Sequence, residues 1–300
     1  MTTPPPFPRV PLIEGLSAIA DRYDAILCDV WGVLHNGRQA FLPASEALAA
    51  FRRRGGAVVL ISNAPRPNPP IREQVVRLGV SPEAFDAIVT SGDVAIELVA
   101  ERGAAPVHHV GPPRDLSLFE AAAARSGARP VLVGVEDASY VVCTGLFDDR
   151  VETPDDYVER LRAMAARRLP FVCANPDLVV HRGADLVYCA GALAEAYEAL
   201  GGEAIYAGKP HAPIYEAALA SASATRRAPL ARSRVLAIGD AMRTDIAGAA
   251  GQGLDALFVV AGIHRQDLEE AERGGAQDPL QSLFERENLR PVAAMRALTP

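Results

Sequence analysis

The amino-acid sequence predicts an α/β fold with a doubly wound parallel sheet, and two features of the 300-residue chain support this prediction. Short apolar runs rich in β-branched residues alternate with alanine-rich stretches that we expect to be helical. The first and last of these runs, Ala25–Val30 and Ala256–Val260, do not alternate with polar residues, which is typical of strands covered by helices on both faces. Because one domain usually takes about 150 residues, the length indicates two domains.

The individual elements follow from the same alternation along the chain. Strands are expected at Ala25–Val30, Ala57–Ser62, Ala87–Thr90, Val131–Val135, Tyr140–Cys143, Phe171–Ala174, Ala204–Ala207, Val235–Ile238 and Ala256–Val260. Helices are expected at Ala44–Arg53, Asn68–Leu78, Asp93–Glu101, Leu116–Ser126, Pro154–Ala166, Leu193–Leu200, Pro213–Ser223 and Thr244–Gln252.

Composition excludes several classes of function. Apolar residues make up 49% of the chain and charged residues 22%, as in ordinary globular proteins. The formal net charge of −7 predicts no basic face, so neither nucleic acid nor an anionic membrane is an expected partner. The four cysteines lie in apolar segments without a CxxC pair, and no signal peptide or apolar run of about 18 residues is apparent. We therefore expect a cytoplasmic protein with reduced thiols.

Polar side chains follow several of the predicted strands directly. Asp29, the pair Ser62-Asn63 and Asp240 stand at strand ends, and Lys209, the single lysine of the chain, follows another strand. Ligands of an open parallel sheet bind beyond the carboxyl ends of its strands, so these side chains are candidates for one site. Each of them could also serve only a turn, because Asn, Asp and Gly are common turn residues.

The residue types predict phosphoryl chemistry. Carboxylates of Asp29, Asp240 and Asp245 would suit Mg²⁺, which prefers hard oxygen ligands and keeps waters for a phosphate. The Ser62-Asn63 turn can donate hydrogen bonds to phosphate oxygens, and Lys209 can neutralise negative charge. A carboxylate in such surroundings can act as a nucleophile and form an aspartyl-phosphate. Asp245 alone could instead be an ordinary acid in the first turn of a helix.

An ordered series of motifs resembles the haloacid dehalogenase (HAD) superfamily, and within it the NagD-like branch that has a class IIA cap. The motifs are D-x-x-G, S-N, G-K-P and G-D-x-x-x-T-D, and the matching segments are 28–37, 60–67, 173–177, 191–219 and 237–253. The resemblance covers nearly the whole chain. It implies a Rossmann-like core with an inserted α/β cap, and a Mg²⁺-dependent phosphatase that acts on a small phosphorylated metabolite.

The resemblance also implies roles for particular residues. It makes Asp29 and Lys209 catalytic, and it places Mg²⁺ on Asp29, the carbonyl of Trp31, Asp240 and Asp245. It assigns the substrate and its phosphoryl group to Ser62, Asn63, Asn175 and Asp177. The core would comprise residues 1–93 and 192–300 and the cap residues 94–191. Caps of this kind sometimes pair, so the resemblance allows a homodimer.

One residue departs from the family pattern. HAD phosphatases carry D-x-D, in which the second Asp protonates the leaving group, whereas this chain has Trp31 at that place. Since an indole cannot transfer that proton, esters with poor leaving groups should lose about 10²–10⁴ in rate. Two alternatives therefore remain: a catalytically weakened binding or regulatory protein, and a HAD hydrolase of another bond type. The second is disfavoured by the two acids Asp240 and Asp245, which indicate a metal.

Overall fold

The structure, a computed structural model, describes residues 8–182 and 185–300. Its strands are β1 Ala25–Asp29, β2 Ala57–Ser62, β3 Ala87–Thr90, β4 Pro106–Val110, β5 Val131–Leu132, β6 Tyr140–Cys143, β7 Phe171–Cys173, β8 Val179–Arg182, β9 Asp185–Tyr188, β10 Ala204–Tyr206, β11 Val235–Gly239, β12 Asp255–Val259 and β13 Ala293–Met295. Its α-helices are α1 Leu42–Arg53, α2 Asn68–Leu78, α3 Ser91–Ala100, α4 Ser117–Ser126, α5 Val158–Ala166, α6 Ala190–Ala199, α7 Ala212–Arg226, α8 Ala247–Gly251, α9 Arg265–Arg273 and α10 Pro279–Glu287.

Six parallel strands form the larger sheet, in the order β13-β12-β11-β1-β2-β3. Alternate residues of β1 enter two different cores: Ala25 and Leu27 pack on one face, and Ile26 and Cys28 on the other. The strand is apolar throughout its buried length because both faces are covered, and this confirms the predicted α/β class. The chain leaves β1 for β2 and β3 on one side, and returns to β11, β12 and β13 on the other. The sheet therefore has its switch point between β1 and β11.

A second, five-stranded sheet has the order β10-β7-β6-β4-β5 and is also parallel. One of its faces shares a core with the first sheet through Val142 and Val172, while Val141 and Phe171 face a separate core. An antiparallel hairpin of β8 and β9 lies between β7 and α6 in the chain. Among residues 8–182 and 185–300, no helix combines the length and apolarity that crossing a bilayer requires.

A domain boundary at residue 191, as expected from the resemblance, would assign β10 to the core although β10 belongs to the sheet of the inserted unit. Strand β10 is hydrogen-bonded to β7, in the register Ala204 to Phe171 through Tyr206 to Cys173. We therefore propose that the inserted unit ends after Tyr206 and that the chain re-enters the core just before Lys209. The lysine then lies at the junction of the two sheets, where it can reach the carboxyl ends of both.

Several local expectations were wrong. The expected strand Val131–Val135 is reduced to two residues, and the expected helix Thr244–Gln252 divides into a π-helical turn at Met242–Ile246 and the short α8. The strands β4, β8, β9 and β13 and the helices α9 and α10 were not anticipated. Strand β4 contains His108 and His109, so it lacks the apolar run on which the prediction depended.

Candidate active site

Two carboxylates stand at the switch point of the larger sheet. Asp29 ends β1, and Asp240 directly follows β11, its parallel neighbour, with Cys28 in register with Ile238. Both side chains are buried, with 6% and 5% of the residue surface exposed. Parallel pairing carries both acids to the same edge of the sheet, as the sequence predicted, because strands in register end together.

Lys209 connects these acids. Its Nζ donates hydrogen bonds to Asp29 Oδ1 (2.5 Å) and to Asp245 Oδ1 (2.6 Å), and the lysine is only 3% exposed. A buried ammonium of this kind requires partners of opposite charge. The solitary lysine of the chain is therefore part of the acidic site and not a solvated surface residue.

Asp245 is held by the π-helical turn. Its Oδ2 accepts a hydrogen bond from the backbone N–H of Ala241 (3.1 Å), and Tyr215 Oη lies 3.2 Å from the carbonyl of Thr244. Gly239 leaves room for the carboxylate, since a methyl group there would overlap it. One-turn π segments are frequent at functional sites, where they redirect a side chain. Here the turn aims Asp245 back toward β1.

Asp240 is fixed by two glycines and one backbone donor. The N–H of Ile263 donates to its Oδ2 (2.7 Å). Gly32 has a φ of +85°, and a Cβ at Gly32 or Gly262 would overlap the Asp240 carboxylate. Only glycine can approach this closely and adopt the Gly32 backbone conformation without strain. The D-x-x-G motif includes Gly32 but does not indicate this contact, and Gly262 and Ile263 lie outside every motif. A glycine inside the motif and the A-G-I segment after β12 were the available signals.

Burial and mutual repulsion control the charge of the acids. Burial raises the pKa of Asp29 to about 7, although Lys209 opposes the rise. Burial and the nearby carboxylates of Asp29 and Asp245 raise the pKa of Asp240 well above its usual range. Burial lowers the pKa of Lys209, but Asp245 and Asp29 outweigh it and hold this pKa well above its usual value. Fully ionised, the three acids would have more negative charge than one ammonium can balance.

The acids fit a divalent cation. Asp29, Asp240 and Asp245 each offer an oxygen, and these oxygens all lie within 4.8 Å of one another. Three carboxylates on buried backbone turns supply the hard oxygen ligands that Mg²⁺ prefers, and the excess negative charge favours a cation further.

The Ser62-Asn63 turn lies opposite, after β2. Ser62 Oγ accepts a hydrogen bond from the N–H of Ala64 (3.2 Å), and Asn63 Oδ1 accepts one from the N–H of Lys209 (2.8 Å). Asn63 Nδ2 donates to Asp177 Oδ1 (2.9 Å), which belongs to the loop after β7. The oxygen of Asn175 accepts from the N–H of Asp177 (3.1 Å) and shapes this loop. The structure therefore brings all four predicted residues to the edge of the acidic site.

Trp31 lies on the loop after β1. Its ring meets that of His35 edge-on, with centroids 5.1 Å apart, and a methyl group at Gly37 would overlap the indole. His35 is 1% exposed, and burial lowers its pKa to about 4. The indole thus packs against the loop that carries it, two residues from Asp29.

A cavity of about 810 Å³ opens over these residues. Asp29, Lys209, Asp240 and Asp245 line its floor, and residues from the second sheet line the opposite wall, among them Asp115, Thr144 and Asp177. Small-molecule sites commonly occupy about 300–1,000 Å³, so the cavity can hold a metabolite between the two units.

Comparisons with known proteins agree with this geometry. A family model for haloacid dehalogenase-like hydrolases matches residues 26–125, and a second, HAD-hydrolase-like model matches residues 206–283. A haloacid dehalogenase-like hydrolase of Brucella suis 1330 is 46% identical, with 96% of this chain and all of that chain covered and a TM-score of 0.84.

Two further relatives are more distant. D-Glycerol 3-phosphate phosphatase of Mycobacterium tuberculosis is 29% identical over 266 residues, which cover 83% of this chain. The chain spans 66% of the length of that relative, slightly less than two thirds. The structure of NagD from E. coli K-12 has a TM-score of 0.63 at 21% identity, with 92% and 96% of the two chains covered, and shows a common fold.

Proposed function

The chain belongs to the haloacid dehalogenase-like hydrolases, with a NagD-like fold, and on this premise we propose that it is a Mg²⁺-dependent phosphatase of a small phosphorylated metabolite. Asp29 is the nucleophile, and an aspartyl-phosphate is the intermediate. The observation that carries the proposal is the convergence of Asp29, Asp240 and Asp245 with Lys209 beneath one cavity.

The metal would be held by Asp29, Asp240 and Asp245, together with the backbone carbonyl of Trp31. A divalent cation bound there supplies positive charge that stabilises the transferring phosphoryl group. Asp240 is suited to such a role because Gly32, Gly262 and the N–H of Ile263 fix its carboxylate. A carboxylate that is already held in place stabilises the transition state more than one that must first reorient.

The chain's own residues then carry the reaction in two steps. In the first, a carboxylate oxygen of Asp29 forms a bond to phosphorus while the bond between phosphorus and the leaving oxygen breaks. Ser62 Oγ and the backbone N–H of Asn63 hold phosphoryl oxygens by hydrogen bonds, because Asn63 Nδ2 already donates to Asp177 and to the carbonyl of Lys209. Lys209 balances the charge on Asp29. In the second step, water attacks the aspartyl-phosphate, releases inorganic phosphate and restores the Asp29 carboxylate.

Trp31 sets the expected order of substrates. An indole cannot protonate the leaving oxygen, so esters with stable leaving anions, such as aryl phosphates, should react with the smallest penalty. The same observation favours a second candidate, a weakened enzyme that chiefly binds phosphorylated molecules. The relative that is a D-glycerol 3-phosphate phosphatase points to phosphate esters of small alcohols as substrates.

Hydrolysis of p-nitrophenyl phosphate with and without Mg²⁺ tests the proposal. We expect release of p-nitrophenol that needs the metal and that disappears in Asp29→Asn. Asp137→Asn, at an exposed acid of the inserted unit, is the matched control and should behave as wild type. Metal-dependent release that survives in Asp29→Asn would refute the nucleophile. If the protein binds Mg²⁺ but releases no leaving group from any activated ester, the proposed phosphatase is wrong and the second candidate, a binding protein, is favoured.

A further inference from the structure

One acid of the inserted unit lines the cavity outside the acidic site. Asp115 ends a 3₁₀ turn, Pro113–Asp115, between β4 and α4. It is 2% exposed, yet it is among the residues that line the cavity. Burying a carboxylate is costly unless its oxygens are paired. The hydrogen-bond partners of its two oxygens therefore indicate whether Asp115 only stabilises the fold or can also bind a ligand.

One oxygen of Asp115 belongs to a polar chain. The carboxylate is hydrogen-bonded to Thr144, and Thr144 Oγ1 lies 3.0 Å from His109 Nε2. A hydroxyl has one proton, so Thr144 can donate to an ionised carboxylate while it accepts from the protonated Nε2 of His109. Gly111, with a φ of +152°, leaves the space between Thr144 and His109 open, since a methyl group there would overlap Oγ1. The arrangement holds the carboxylate in one orientation.

The other oxygen has no donor. Among the residues that the structure describes, none gives a hydrogen bond to Asp115 Oδ1, and the Nε atom of Arg114 stays 4.0 Å away. The guanidinium groups nearby have partners: Arg114 donates to Asp149 (2.9 Å) and Arg66 donates to Gln74 (2.9 Å). A buried acceptor without a donor costs free energy, which a ligand can recover by supplying the donor.

We propose that Asp115 accepts a hydrogen bond from a hydroxyl group of the leaving alcohol, so that, among alkyl phosphates, the preferred substrates are esters of neutral polyols or sugars. This inference rests on the proposed phosphatase function. A carboxylate on the leaving group would be attracted by Arg66 and Arg114 but could not donate a hydrogen bond to Asp115 Oδ1. An ammonium group could donate, but Arg66 and Arg114, whose charges act on this carboxyl, would repel it. A hydroxyl donates without either conflict.

The test compares substrates that differ in this group. kcat/KM is measured with Mg²⁺ for glycerol 3-phosphate, glucose 6-phosphate, phosphoethanolamine, phosphoglycolate and p-nitrophenyl phosphate. The proteins are wild type, Asp115→Ala, Asp115→Asn and the exposed control Asp137→Ala. A hydrogen bond to a charged acceptor is worth roughly 10- to 100-fold. We expect Asp115→Ala to lose that factor on the polyol or sugar ester that wild type prefers. Asp115→Asn, which keeps an acceptor, should lose less, and p-nitrophenyl phosphate should change less than about threefold.

Each other outcome overturns the inference. Equal losses on all esters show a structural role for Asp115, and no loss on any ester shows that it does not contact the substrate. A wild-type preference for phosphoethanolamine or phosphoglycolate contradicts the chemical class. If wild type hydrolyses p-nitrophenyl phosphate while the Asp115 pattern is absent, the phosphatase stands and only this inference fails. If wild type hydrolyses none of the esters, both fail.

Discussion

Replacing Lys209 by methionine removes the cation on which the buried acids depend. The ammonium lies 2.5 Å from Asp29 and 2.6 Å from Asp245, and all three residues are at most 6% exposed. Methionine fills a similar volume but has no charge. In the metal-free protein, Asp29, Asp240 and Asp245 would then face one another without this compensation.

The magnitude follows from the burial. Removing one partner of a buried ion pair costs about 3–5 kcal/mol, a large share of the 5–15 kcal/mol by which a typical domain is stable. We therefore expect the free energy of unfolding to fall by about 3–5 kcal/mol at pH 9, where Asp29 of the wild type is ionised. The loss should shrink as the pH falls toward 7. The pKa of Asp29 is about 7 with Lys209 in place, and removal of the ammonium raises it further, so a proton can replace the lost cation in this range.

Urea denaturation in the presence of a chelator measures this effect. Arg125→Met is the matched control, because Arg125 pairs with Glu97 (3.0 Å) on the surface, where such a pair is worth at most about 1 kcal/mol. A loss in Lys209→Met no larger than in Arg125→Met, or a loss that grows as the pH falls, would refute the reasoning. Added Mg²⁺ should restore part of the stability of Lys209→Met, because the cation compensates the same carboxylates.

Three further predictions concern single residues. Gly262→Ala places a methyl group against Asp240 and should weaken Mg²⁺ binding at least about tenfold by calorimetry, whereas Gly251→Ala, with open space around it, should not. Trp31→Asp should raise kcat/KM for alkyl phosphates more than for aryl phosphates, by up to about 10²-fold; equal losses on both would show that the indole shapes the pocket instead. Burial lowers the pKa of His109 from 6.5 to about 4, so the neutral ring stabilises the fold above pH 6.5 and this contribution is lost toward pH 4. His109→Gln should remove up to about 3 kcal/mol of that pH dependence in urea denaturation, and an unchanged slope would exclude the ring as its source.

The sequence was sufficient where local pattern and topology coincide. Strand β2 occupies its predicted bounds, Ala57–Ser62, because a strand covered on both faces leaves a continuous apolar run. The edge that gathers Asp29 and Asp240 follows from the rule that parallel strands end together, whereas Lys209 follows β10 of the second sheet and reaches these acids across the junction. The resemblance to the HAD superfamily needed only the order of the motifs, and the comparisons confirm it.

What the sequence could not supply depends on contacts between distant segments. The N–H of Ile263 reaches Asp240 across 23 positions, and no local pattern marks a backbone donor. Strand β10 pairs with β7, although the sequence predicts a domain boundary between them at residue 191. Asp115 lies in a proline-rich turn, and no local pattern of the sequence shows that its carboxylate is buried.

Acid-quenching the enzyme during turnover of p-nitrophenyl phosphate, followed by mapping of the modified peptide by mass spectrometry, shows which residue accepts the phosphoryl group. We expect a phosphoryl group on the peptide that contains Asp29, present only with Mg²⁺ and absent in Asp29→Asn. Turnover that continues with the phosphoryl group on another residue would contradict this expectation.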